Sequence, residues 1–199
     1  MQVHAASQGG PVTNNKANNM KTIEIEIPEG VQVRKDGYEF LFAGPKGELK
    51  REFRNHELKL DVRDRKILIS ADSERRKVKA LAGTWAAHTK NMITGVTRGY
   101  EARLKVLYSH FPMKLNVEND HIVVNNFLGE RSSRISKIVG DTKVELKKDE
   151  VIVRGISRDD VGQTAANLEI LTKVKGYDRR VFQDGCHLVQ KTMPVQEGE

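Results

Sequence analysis

The stretch that decides the fold is Lys66-Ile67-Leu68-Ile69-Ser70-Ala71-Asp72-Ser73, a short apolar run that leads into a helix-capping residue. An offset of 151 − 67 = 84 residues superposes it on Glu150-Val151-Ile152-Val153-Arg154-Gly155-Ile156-Ser157. In each copy the apolar run predicts a β-strand, and the serine is a favoured helix N-cap. The chain is therefore expected to contain one strand-and-helix unit twice.

The residues before the first copy alternate between apolar and polar types, which is the pattern of half-buried strands. The alternating segments are 23–27, 31–33, 38–42, 49–53, 58–62 and 66–69. Lys35-Asp36-Gly37 predicts a tight hairpin turn, because Asp-Gly pairs favour such turns. From Asp72 or Ser73, with Glu74 in the first turn, the period becomes that of an amphipathic helix.

The second helix is predicted after Ser157, where apolar residues again form one stripe. Asp159 and Asp160 are expected in its first turn, and Lys173 and Lys175 in its last, to match the helix dipole. Glycines that can end the two helices, Gly99 and Gly176, are separated by 176 − 99 = 77 residues. Since 77 is smaller than 84, the first helix is expected to be about two turns longer.

Two such copies predict an α+β fold with two tandem similar domains, each an antiparallel sheet packed against one helix. The expected domains are residues 20–99 and 100–191. They are flanked by a disordered tail, residues 1–19, and a flexible C-terminal tail, residues 192–199. The strand edges of Glu101–Leu107 are expected to join the two domains.

Composition indicates a polyanionic partner. The 199 residues include 34 Lys and Arg against 27 Asp and Glu, which gives a net charge of +7 and a pI near 9.5. A basic excess of this kind favours nucleic acid before membrane. The single cysteine, Cys186, excludes an internal disulfide and indicates a reducing compartment. With no membrane-length apolar run and no signal peptide, the chain is expected to be cytoplasmic.

Residues suited to catalysis are scarce. Cys186-His187 is the nearest arrangement to a thiol nucleophile beside a base, but neighbours in a strand point to opposite faces. The six histidines lack metal-ligand spacing, and no phosphate-binding glycine fingerprint is present. The sequence therefore predicts a non-enzyme without cofactor or metal. Two alternatives stay open: a thiol hydrolase that uses Cys186, and a protein-interaction module that does not need RNA.

The loops carry the stronger signal. Asn125–Arg134 follows the strand His121–Val124 and carries two arginines, whose planar guanidiniums are expected to point outward and bind phosphate oxygens in pairs. The turn Gly44–Gly47 occupies the matching place in the first copy. Residues 173–180 hold four cations and one tyrosine. Cations spread over several loops favour recognition of a folded RNA shape.

The predicted RNA-binding residues come from these loops and from the polar-aromatic segment Tyr108–Met113. They are Lys46, His110, Asn126, Gly129, Arg131, Ser132, Arg134, Lys173, Lys175, Tyr177, Arg179 and Arg180.

Six segments carry a resemblance to a known family. They are Gly44–Gly47, Asn91–Thr97, Tyr108–Pro112, Asn126–Glu130, Val161–Asn167 and Asp178–Gly185. In this order they resemble the signature segments of the sixth large-subunit ribosomal protein family, counted ninth in eukaryotes, and are most similar to its archaeal branch. The resemblance extends from about Met20 to about Lys191.

The resemblance implies two tandem domains, no catalysis, and a monomer that binds large-subunit ribosomal RNA beside neighbouring ribosomal proteins. It further implies that the second domain makes much of the RNA contact, near the factor-binding region with the sarcin–ricin loop and stalk base. Transferred to this sequence, the implied contacts are Arg131, Arg134, Lys175, Tyr177, Arg179 and Arg180, with Lys46 as a further candidate in the first domain.

Overall fold

The computed structural model describes residues 22–109, 111–178 and 180–196. The predictions for the tail 1–19, for His110 and Arg179, and for the end of the C-terminal tail, residues 197–199, lie outside the described residues.

The described chain contains two α-helices, one 3₁₀ turn and thirteen strands. The first half consists of β1 Ile23–Glu26, β2 Gln32–Asp36, β3 Glu39–Gly44, β4 Gly47–Glu52, β5 Leu58–Arg63, β6 Lys66–Ala71 and α1 Arg76–Thr97. The second half consists of β7 Tyr100–Leu107, β8 Lys114–Glu118, β9 His121–Asn125, the 3₁₀ turn Phe127–Gly129, β10 Arg134–Lys137, β11 Lys143–Leu146, β12 Glu150–Gly155, α2 Arg158–Leu171 and β13 Gly185–Pro194.

The two halves have the same topology. The strand orders β1-β6-β5 and β2-β3-β4 of the first half correspond to β7-β12-β11 and β8-β9-β10 of the second, where β13 adds a fourth strand beside β7. Every strand pairing is antiparallel. The predicted α+β fold of two similar domains is therefore confirmed, with the refinement that the strands of each domain form two sheets.

Each domain has its own apolar core. In the first, Phe40, Phe53 and Trp85 pack edge to face, with ring centroids 5.6 and 5.3 Å apart. In the second, Leu104, Phe127 and other fully buried side chains lie between the sheets and α2. Two closed cores explain why both copies keep the strand and helix periodicities that bury apolar faces.

The segment Glu101–Leu107 does not lie at a sheet edge as expected. It belongs to β7, which is paired on one side with β12 and on the other with β13. Ala102 and Leu104 have no exposed surface. The segment occupies the centre of the sheet because β13, which no local pattern connects with it, returns from the end of the chain to cover its second side.

The two helices begin differently although the repeat predicts the same cap. The Oγ of Ser157 accepts a hydrogen bond from Asp160 N at 3.3 Å, so the second cap is confirmed, with Asp159 and Asp160 in the first turn. In the first copy the Oγ of Ser73 instead accepts from Arg75 N, and α1 starts only at Arg76 with no acidic residue in its first turn. The predicted cap at Asp72 or Ser73 is therefore wrong.

The end of α2 also differs from the prediction. The helix ends at Leu171, so Lys173 and Lys175 follow it and do not lie in its last turn. Buried Thr172 explains the early end, because its Oγ donates to Leu168 O at 3.0 Å and accepts from Cys186 N at 2.9 Å, which ties the chain to β13. At 22 and 14 residues, the helices differ by 22 − 14 = 8 residues, the two turns that were predicted.

The domains contact each other around Ile156, which precedes α2 and packs against the core of the first domain. Nearby, Arg51 Nη1 lies 2.8 Å from Asp159 Oδ2, and Arg158 Nη1 donates to Asn91 Oδ1 at 3.1 Å. The described part of the chain contains no helix long and apolar enough to cross a membrane.

The unequal caps give a direct test. Replacing Ser157 by alanine is expected to lower the free energy of unfolding by about 1 kcal/mol, because the Oγ that satisfies an orphan helix N–H is removed. Ser73→Ala is the matched control and is expected to cost less, because Ser73 bonds a residue outside α1. Urea unfolding of both variants provides the measurement. Equal losses would contradict the assignment of Ser157 as the only one of the two serines that caps its helix.

Candidate functional site

The loop between β9 and β10, residues 126–133, is the centre of the candidate site. Three of the four positions 126–129, all except Phe127, have left-handed backbone: φ is 59° at Asn126, 53° at Leu128 and 79° at Gly129. Such angles cost free energy for residues with a Cβ, and persist where surrounding contacts fix them. Phe127, only 1% exposed, inserts into the second core. The loop is therefore held in one conformation by its own anchor.

A second loop supports it from outside. Asn126 Nδ2 donates to Pro112 O at 3.1 Å, and a Cβ at Gly129 would lie 3.4 Å from Cζ of Phe111. Asn126 and Gly129, both predicted to bind RNA, thus have a first role in shaping the loop. Ser133 adds a further bond, since its Oγ lies 2.5 Å from Asn125 Oδ1.

Arg134 does not point outward as expected. Its Nε and Nη2 donate to both carboxylate oxygens of Glu130, at 2.8 and 2.6 Å, and its Nη1 donates to Leu171 O at 2.6 Å. The guanidinium also lies over the ring of Phe127, 4.2 Å from the centroid. All three nitrogens are therefore used within the protein. The hydrogen bonds from Arg134 hold the pKa of Glu130 below its ordinary value, so the Glu130 carboxylate stays charged at neutral pH.

Arg131 and Ser132, by contrast, are exposed at the tip of the loop. In residues 22–109, 111–178 and 180–196, no ion pair or side-chain hydrogen bond involves Arg131. The outward orientation expected of the two arginines thus applies to Arg131. Its five N–H donors are available to an anion outside the protein.

The segment that follows α2 forms the second part of the site. Lys173, Lys175 and Arg180 are exposed, and their side chains make no ion pair within the described residues. Tyr177 packs on Phe182, with ring centroids 4.9 Å apart and an interplanar angle of 51°. The segment begins directly after Leu171, the residue whose carbonyl binds Arg134. Arg134 therefore joins the loop and this segment into one surface.

Lys46 lies in the first domain, in the turn between β3 and β4. Its backbone N donates to Val96 O at 3.0 Å, which seats the turn on the end of α1, and its side chain is exposed. A Cβ at Gly44 would lie 2.8 Å from the carbonyl oxygen of Val96, so this close seating requires glycine. The structure thus places Lys46 beside α1 and not in the surface that Arg134 assembles.

Comparison with known sequences identifies the family. A family profile described as Ribosomal protein L6 matches residues 27–99 and 111–185. The chain belongs to the ribosomal protein L6 family. The resemblance read from the six segments is confirmed, and the two matched ranges correspond to the two copies of the fold.

Named relatives in archaea are similar over most of their length, and each is called large ribosomal subunit protein uL6. The protein of Methanosarcina mazei is 48% identical over 167 residues, which covers 84% of this chain and 95% of the relative. That of Methanobrevibacter smithii is 48% identical over 168 residues, covering 84% and 94%. That of Archaeoglobus fulgidus is 44% identical over 172 residues, covering 84% and 88%.

Cys186 is unsuited to act as a nucleophile in this member of the L6 family. It is 1% exposed, and burial raises the pKa of its thiol to about 11, so almost no thiolate forms at neutral pH. His187 points away to the surface, where its Nε2 lies 3.1 Å from Gln183 O. This geometry argues against the thiol hydrolase alternative. Among the described residues no group of three or more His, Cys, Asp or Glu side chains could hold a metal ion.

Sequence reasoning missed the clamp formed by Arg134 with Glu130 and Leu171. The spacing of four residues between Glu130 and Arg134 was a usable signal, although outside a helix it does not imply proximity. The bond to Leu171 O spans 37 residues and had no local signal. Phe182 was also missed as the partner of Tyr177.

Proposed function

We propose that the protein is a structural component of the large ribosomal subunit that binds and orders large-subunit ribosomal RNA through its second domain. The contact would lie near the factor-binding region, with the sarcin–ricin loop and stalk base, and would support translation on cytoplasmic ribosomes beside neighbouring ribosomal proteins. Membership of the L6 family and the names of the relatives support the ribosomal part. The observation that carries the RNA part is the surface that Arg134 assembles, whose exposed cations have no ion pair with any residue that the structure describes.

The proposed mechanism is phosphate neutralisation on a rigid surface. Arg131, Lys173, Lys175 and Arg180 are exposed and have no ion pair among the described residues, so binding RNA would break no internal salt bridge. The left-handed backbone of the loop and the clamp of Arg134 fix where these charges stand. Fixed charges recognise an RNA shape with a smaller entropic cost than mobile ones. Arg179 and His110, outside the described residues, belong to the same proposal by sequence position.

Sedimentation of the tagged protein in cell extract, at low and then at moderate salt, tests the ribosomal assignment. Co-migration with large subunits that persists at moderate salt is the expected result. Migration as a free small protein at both salt concentrations would contradict the proposal and favour the RNA-independent interaction module.

Arg131→Ala is expected to weaken binding to large-subunit RNA and to reduce the slope of log affinity against log salt by about 0.7 to 0.9, the loss of one phosphate contact. Stability should be unchanged, because Arg131 makes no side-chain bond in the described structure. Affinity measured over a series of salt concentrations gives the slope.

Arg65→Ala is the matched control for Arg131→Ala. Arg65 is 69% exposed on the first domain and pairs with Glu29 at 3.1 Å. The Arg65→Ala variant is expected to leave the slope of log affinity against log salt unchanged. If both variants changed the slope equally, the cations would act through net charge alone, and Arg131 would not be a specific phosphate contact.

A further inference from the structure

A groove of about 610 Å³ opens between the C-terminal end of α2 and the start of β13, beside the cationic segment. Its floor and walls are mainly apolar and include Leu107, Ile170, Val174 and Phe182. Phe182 is 38% exposed and Ile170 64% exposed, so apolar surface remains open to a partner. The volume lies within the range of about 300–1,000 Å³ that is usual for small-ligand sites.

The rim of the groove carries both cations and acids. Lys173 lines it directly, and Lys175 and Arg180 lie on the segment that contains its wall. Two acids also line it, but both already accept backbone hydrogen bonds: Asp184 Oδ1 from Ser109 N at 2.8 Å, and Glu169 Oε1 from Leu188 N at 3.3 Å. Both carboxylates keep their charge but are held against the protein backbone, whereas Lys173, Lys175 and Arg180 have no ion pair among the described residues. These cations beside an apolar floor suit an occupant that combines a flat apolar face with a negative backbone.

We propose that this groove receives one unpaired nucleotide of the bound RNA, with the base against Phe182 and the adjoining phosphates at Lys173 and its neighbouring cations. The inference rests on the proposed function and specifies what the segment after α2, the second part of the site, recognises in the RNA. Proteins read unpaired RNA bases by stacking them on aromatic rings next to phosphate contacts. Tyr177 packs on Phe182, with 4.9 Å between the ring centroids, so part of the Phe182 ring is covered by a second aromatic ring before RNA binds.

The test compares two probes of equal charge: a single-stranded pentamer of adenosine nucleotides and an abasic pentamer with the same backbone. The full-length protein is expected to bind the base-bearing pentamer about tenfold more tightly, as one stacked base provides. Phe182→Ala should reduce this preference to near unity, and Phe182→Trp should keep it. Tyr38→Ala is the matched control, because Tyr38 is an aromatic residue of the first domain with 57% exposure.

Equal affinity of the wild-type protein for the two pentamers, or binding of neither, would overturn the inference. An equal loss of the preference for the base-bearing pentamer in Phe182→Ala and Tyr38→Ala would also overturn the inference. The proposed function is judged separately by co-sedimentation with large subunits. Equal affinities with co-sedimentation retained would refute the base groove alone, whereas loss of co-sedimentation would refute the ribosomal assignment. Unfolding temperatures of the variants identify any loss of binding that comes from misfolding. If Phe182→Ala is misfolded, Phe182→Trp decides the result: a retained preference for the base-bearing pentamer supports the groove, and a lost preference overturns it.

Discussion

Replacing Gly95 by alanine is expected to lower the free energy of unfolding by about 2 kcal/mol or more. Gly95 lies near the end of α1, where the helix crosses the segment before α2. A Cβ at this position would overlap the backbone carbonyl oxygen of Ile156. A backbone atom cannot rotate away as a side chain can, so either α1 or the domain contact must shift. Because this cost exceeds the roughly 1 kcal/mol that alanine gains in helix propensity, the net effect is a loss.

Gly83→Ala is the matched control in the same helix. A Cβ at Gly83 would meet no atom within 4 Å, so only the higher helix propensity of alanine acts. The free energy of unfolding of this variant is therefore expected to rise by about 0.5 to 1 kcal/mol. Urea unfolding curves of the two variants and the wild-type protein give both values. A stabilising effect of Gly95→Ala would show that the contact between α1 and Ile156 yields easily, and that the two domains are only loosely joined.

Much of the fold could be predicted because burial imposes periods that are visible in the sequence. The alternation around Ile67 and Ile69 identifies a strand, and the offset of 84 residues carries the same inference to Val151 and Val153. The assignment of strands to sheets could not be predicted in this way. Period two shows that a strand has a buried face but not which strand it pairs with, so the central place of β7 depends on β13, about 80 residues later.

The candidate site shows the same division between local and tertiary information. The exposure of Arg131, Lys173 and Lys175 could be predicted because charged residues in polar loops generally stay in water. The orientation of Arg134 could not, because its partner Leu171 O lies at the end of a helix 37 residues later. Likewise the different behaviour of Ser73 and Ser157 depends on where the backbone enters each helix.

Arg134→Ala is expected to lower the free energy of unfolding by about 2 to 3 kcal/mol and to reduce RNA affinity strongly. The substitution leaves the carboxylate of Glu130 and the carbonyl of Leu171 without their partner and removes the guanidinium from the ring of Phe127. Breaking a fully buried ion pair would cost about 3 to 5 kcal/mol. The loss expected for Arg134→Ala is smaller because the side chains of Arg134 and Glu130 are 25% and 36% exposed, so water can replace part of the interaction.

Thermal unfolding and RNA binding at fixed salt, measured on the same variants, distinguish the roles of the two arginines of the loop. Arg131→Ala should weaken RNA binding and leave stability unchanged, whereas Arg134→Ala should lower both, because the loop and the segment after α2 lose their shared anchor. Arg134→Lys keeps the charge but cannot bridge Glu130 and Leu171 with one planar group, so it should resemble Arg134→Ala in stability. If Arg134→Ala weakened RNA binding without loss of stability, Arg134 would contact phosphate directly, as the sequence first indicated, and the clamp would be incidental.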